Sequence, residues 1–141
     1  MAFQLHPRLA KDSIIIGAFD ISLLLMINDA AYPWFVLVPQ IDGIKDTHQM
    51  TETDHIQVLR ESRALSVSLM AVYGGEKLNI AALGNMVPQL HIHHIVRAKT
   101  DAAWPAPIWG YQDLTDLSEI EITERLDTLK QQMPHGLVLT A

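Results

Sequence analysis

Short runs of branched and aromatic apolar residues punctuate this chain, and one long stretch has helical spacing instead. Residues 14–28 (IIIGAFDISLLLMIN) predict two strands that turn around Gly17 to Asp20. Residues 34–39 (WFVLVP), preceded by Pro33 and ending on Pro39, predict a third strand. The segment Asn28–Pro33 between them has turn chemistry. Over 51–73, Ile56 and Leu59, then Leu65, Leu69 and Val72, recur at helical spacing. Thr51 with Asp54 resembles a capping box at its start, and Gly74-Gly75 stops it. Two further strands are expected at 77–83 (KLNIAAL) and 89–97 (QLHIHHIVR), joined by Gly84-Asn85-Met86-Val87-Pro88. The stretch 101–113 is loop-like. A second helix is expected from about Ser118 to Gln132, again with capping-box spacing between Ser118 and Glu121. Strands adjacent in sequence with short links point to an α+β domain: an antiparallel sheet with the main helix packed on one face and a C-terminal helix.

Composition narrows the function. A chain of 141 residues fits a single domain, with 49% hydrophobic and 18% charged residues. That supports a real core and excludes a disordered chain. The net charge is −6 and no Lys/Arg run occurs, so a groove for nucleic acid is not supported. There is no cysteine, which rules out disulfides and thiolate metal sites. Met1 to Lys11 carries His6, Arg8 and Lys11 and does not resemble a secretory signal. Ile21–Ile27, broken by Ser22, is too short to cross a bilayer. No membrane association and a cytoplasmic location are therefore expected.

The candidate chemistry lies in the 89–97 strand. Successive side chains on a strand point to opposite faces, so Gln89, His91 and His93 would share one face, while Leu90, Ile92 and His94 share the other. The apolar pair suits a surface under a helix, which leaves the first face free to meet a ligand. Alternate histidines there admit a metal site, a nucleophilic imidazole, or merely a polar sheet face. His94 should face the helix as a half-buried histidine with a hydrogen-bond partner.

The run Gly84-Asn85-Met86-Val87-Pro88-Gln89-Leu90-His91-Ile92-His93 resembles the signature of the histidine triad (HIT) superfamily. Leu25–Asn28, a turn, and Val36–Pro39 are similar to that family's nucleotide-contacting strand pair. Trp104-Pro105 and Trp109-Gly110 resemble a branch of bacterial HIT-like proteins. The resemblance spans about residues 10–110 of one domain, with a C-terminal helical extension at about 114–133. It implies that His91 is the nucleophile that attacks an α-phosphate, that His93 supports phosphate binding, and that Asn28 contacts the ribose. Gly84, Asn85 and Val87 belong to the implied nucleotide-binding loop. The implied ligand is a purine mononucleotide or nucleotide conjugate, with no metal or cofactor, in a homodimer.

Three positions depart from the family pattern. Gln89 replaces the first triad histidine; it can hydrogen-bond but cannot titrate. It serves if that position only orients the nucleophile. Met86 stands where Ser or Thr is common near the phosphate, and Phe35 where a histidine often follows a glycine. Elsewhere, His6, His48, His55 and His135 read as surface residues. Trp34, Trp104 and Trp109 read as packing residues with the capacity to cover a base. Asp116, Glu119, Glu121, Glu124 and Asp127 form a solvated face.

Overall fold

In a computed structural model, residues 2–140 are described. A short helix α1 (Pro7–Lys11) leads into strands β1 (Ser13–Ala18), β2 (Ser22–Ile27) and β3 (Trp34–Pro39). A long helix α2 (Glu52–Tyr73) follows, then β4 (Lys77–Ala81), β5 (Ile92–Arg97), α3 (Glu119–Lys130) and a two-residue strand β6 (Val138–Leu139). The strands form one antiparallel sheet in the order β4-β5-β3-β2-β1-β6.

The caps fall where the sequence placed them. Thr51 Oγ1 accepts from the Asp54 N–H at 3.1 Å, and Gly74 closes α2 at a left-handed φ of 61°. Ser118 and Glu121 form a reciprocal box at the start of α3. The apolar stripe of α2 (Val58, Leu65, Leu69) packs on the sheet face that carries Leu24, Met26, Phe35, Leu37, Ile92 and Val96. Inside this stripe Glu61 is only 2% exposed. Its carboxylate accepts from the Ile21 and Ser22 N–H groups at 2.9 and 3.0 Å, tying the β1–β2 turn to the helix.

The opposite sheet face departs from expectation, because it is largely covered. Phe3, Leu5 and Leu9 from the N-terminal segment pack on Leu25, Ile27, Val36 and Val38. Ala103, Ile108 and Trp109 pack around Tyr32 and Ile95. A cavity remains between these two covers. The expected strand 89–97 also begins late, at Ile92. Ladder pairing with β3 stops at Leu37–Ile92 and with β4 at Ala81–His93. Upstream of it the Leu90 N–H bonds the Ile44 carbonyl instead, at 3.1 Å. The strand expected over 77–83 likewise ends at Ala81. No helix among the described residues is long and apolar enough to cross a membrane.

Candidate active site

The cavity measures about 370 Å³. Its floor is Ile27, Trp34, His91 and His93; one wall is Leu83 to Val87, another Arg8, Leu9 and Asp12, and the rim is Trp109, Gly110 and Leu114. The left-handed φ of 72° at Gly84 turns the chain out of β4 into that wall. Gly84, Asn85 and Val87 all line this cavity. Met86 reaches the same wall but is 73% exposed.

His91 and His93 lie side by side, ring centroids 4.9 Å apart, each over nine-tenths buried. Their hydrogen bonds fix opposite tautomers. The Nδ1 of His91 lies 2.7 Å from the Gln89 carbonyl. A carbonyl can only accept, so this nitrogen carries a proton, and in the neutral ring Nε2 keeps its lone pair. The indole N–H of Trp34 donates to His93 Nδ1 at 3.0 Å. An indole can only donate, so His93 carries its proton on Nε2. The site thus sets an imidazole lone pair beside an imidazole N–H donor. Burial, with smaller contributions from neighbouring His91 and His94, pushes His93 down to about 3, so this ring is neutral near pH 7. Any stabilisation it gives an anion comes from hydrogen bonding, not from the positive charge a protonated ring would supply.

His94 is fully buried, not half-buried as expected. Its Nδ1 donates to the Ile92 carbonyl at 3.1 Å, and its Nε2 accepts from the Ser62 hydroxyl of α2 at 2.7 Å. Burial lowers it to about 4. It belongs to the helix–sheet core.

Two other predicted residues point elsewhere. The Gln89 side chain does not line this cavity. Its Oε1 accepts from the His6 N–H at 2.8 Å and its Nε2 donates to the Gln4 carbonyl at 2.9 Å. Only its backbone carbonyl holds His91. Asn28 engages the C-terminal segment: its Oδ1 accepts from the Leu117 N–H at 2.8 Å and its Nδ2 donates to Asp116 at 3.2 Å. Among the described residues no cluster of three or more His, Asp or Glu is gathered that could hold a metal ion.

A HIT domain matches residues 8–100. The chain belongs to the HIT family. It is similar to a histidine triad protein from Bradyrhizobium japonicum, with 39% identity and a TM-score of 0.91 over 94% of this chain and 99% of that one. A histidine triad protein from Marinobacter aquaeolei has 43% identity and a TM-score of 0.86, again over 94% and 99%. A third, from Sinorhizobium meliloti, has 35% identity and a TM-score of 0.90 over 93% and 97%. No curated protein matches.

Two features of this HIT site had only faint sequence signals. Trp34 is the donor to His93, but a tryptophan opening a strand reads as packing. Arg97 is 2% exposed at the end of β5, on the His91–His93 face. Its guanidinium bonds both Asp101 oxygens at 2.8 and 3.1 Å, Asn79 Oδ1 at 2.9 Å and the Ala106 carbonyl at 2.8 Å. This clamp folds the 98–106 loop back on the sheet and so delivers Trp109 to His93, ring centroids 5.4 Å apart. The signal was a lone cation in an apolar strand with an aspartate four residues on.

Proposed function

We propose that this HIT protein binds a purine mononucleotide and hydrolyses or transfers a nucleotidyl group through His91. The observation that carries this is the pair of opposite tautomers. His91 Nε2 offers its lone pair to the α-phosphorus, while Nδ1–H stays on the Gln89 carbonyl and supports the positive charge the ring acquires. The bond to the leaving group breaks as the N–P bond forms, and the leaving group takes its proton from solvent, which regains one when water attacks. Negative charge on the phosphoryl oxygens meets His93 Nε2–H and the backbone N–H groups of the Gly84–Val87 loop. Water then attacks phosphorus, releasing the nucleoside monophosphate and restoring His91. A phosphoramidate or a dinucleotide-type substrate fits this chemistry.

The test is hydrolysis of an adenosine phosphoramidate, with His91→Ala alongside. Release of AMP that vanishes in the variant supports the reading; full activity in His91→Ala overturns it. A second reading, a nucleotide-binding module with little turnover, is favoured by Met86, which offers no hydroxyl to the leaving group. AMP binding without release from a range of conjugates would select it.

The family resemblance also favours a homodimer, and the outer edge of the sheet suits one. β4 is paired only on its inner side, and beside it Ile80 is 51% and Leu59 of α2 57% exposed. A monomer by light scattering would refute this.

A further inference from the structure

We propose that the N-terminal segment, residues 2–12, is the phosphate-recognition element of the cavity, with Arg8 as the cation that meets the phosphate and Gln89 as the latch that seats it. This rests on the nucleotide reading above and names the residues that would give it affinity.

On the floor, hydrogen bonding aims Nε2 of His91 and the Nε2–H of the neutral His93 ring at the cavity, and neither is a fixed positive charge. A phosphate entering a partly apolar cavity loses hydration and needs a compensating charge. Arg8 is the one Lys or Arg among the lining residues, and Asp12 the one carboxylate. Their formal charges cancel, so without Arg8 the lining side chains would carry −1 against an anionic ligand. The guanidinium is available: Arg97–Asp101 is the sole ion pair among the described residues, and Arg8 hydrogen-bonds only through its backbone.

Gln89 explains why Arg8 is there. The primary amide grips one stretch of backbone twice, taking the His6 N–H and giving to the Gln4 carbonyl. His6 Nδ1 in turn accepts the Arg8 N–H at 3.1 Å and opens α1. Leu9, 6% exposed, fixes the turn against the sheet. An amide carries its donor and acceptor on one carbon and can serve adjacent backbone groups. An imidazole carries them on different sides of the ring, so a histidine at 89 could not make both bonds. The glutamine exchanges a side chain aimed at the nucleophile for a lid segment that brings a cation.

The experiment is calorimetric titration of AMP and of adenosine into wild type, Arg8→Gln, Gln89→Ala and the double variant, with thermal unfolding to confirm that each folds. Arg8→Gln should weaken AMP about tenfold and leave adenosine within about twofold, because a charge-assisted hydrogen bond to the phosphate is lost. Gln89→Ala should weaken AMP to a similar extent, and should add nothing in the Arg8→Gln background. AMP affinity unchanged in Arg8→Gln overturns the proposal. Equal losses for AMP and adenosine also overturn it, since Arg8 would then shape the cavity without reading charge. Additive losses in the double variant overturn the latch. If wild type binds neither ligand, the nucleotide reading itself falls, and this inference with it.

Discussion

Mild acid should destabilise this protein through two buried histidines. Burial holds His93 at about 3 and His94 at about 4, against an ordinary value of 6.5. In the unfolded chain both take up a proton as the pH drops below about 6.5. The unfolded state then binds more protons than the folded one, so stability falls as pH falls through this range. Above about pH 7.5 both states are neutral and these residues contribute no slope. Between about pH 6 and 4.5 each histidine removes about 1.4 kcal/mol per pH unit. Together they cost about 4 kcal/mol between about pH 7.5 and pH 5, a large share of the 5–15 kcal/mol of a typical domain. Asp101, held below the usual carboxylate range by Arg97, loses its contribution only at lower pH. The assay is urea unfolding at a series of pH values and constant ionic strength. His94→Gln is the control. It should be less stable at neutral pH, because the packed ring and its bond to the Ile92 carbonyl are lost, yet its stability should fall with pH about half as steeply. A midpoint that stays flat between about pH 7.5 and pH 5 would refute the reasoning, and an unchanged slope in His94→Gln would remove His94 from it.

Other expectations follow from single contacts. Trp34→Phe keeps an aromatic ring but deletes the donor to His93 Nδ1; with the tautomer freed, kcat on the phosphoramidate should fall about tenfold while AMP affinity changes little, and an unchanged kcat would remove Trp34 from the mechanism. Asp101→Ala leaves the Arg97 guanidinium buried without its carboxylate. Thermal or urea unfolding should register a loss of about 3–5 kcal/mol, with weaker near-ultraviolet dichroism as Trp109 loosens. Gly17→Ala would place a methyl 2.5 Å from the Val138 carbonyl oxygen. The expected result is faster hydrogen exchange at Thr140, whose N–H bonds the Ile16 carbonyl just past β6, with AMP binding unaffected.

Periodicity made most of the framework legible. The sequence reading of β3 coincides with the strand, and α2 and α3 fall within about two residues of their expected ends, because caps and alternation are local chemistry. Alternation also placed His91 and His93 in one cavity and His94 under the helix. It could not say how far a strand extends, since a ladder needs a partner, and residues 89–91 have none in β3 or β4. The short α1 and β6 gave too little periodic signal to read.

What covers a sheet face is a longer-range matter. The alternating pattern of 89–93 is the same whether that face is open or roofed, and the roof comes from residues 3–9 and 103–109. Their apolar side chains are too few to announce an element, yet each finds a buried partner. The chemistry of the site depends on those distant partners. The motif supplies two imidazoles, but an imidazole is a donor or an acceptor only according to what its other nitrogen touches. For His91 that partner is two residues away, a backbone carbonyl any residue at 89 would provide; for His93 it is Trp34, 59 positions back in the chain. The glutamine that departs from the triad pattern can therefore leave the orientation of His91 intact. Its side chain becomes free to hold Gln4 and His6, and under the proposed reaction the substitution would change what enters the cavity rather than which atom attacks.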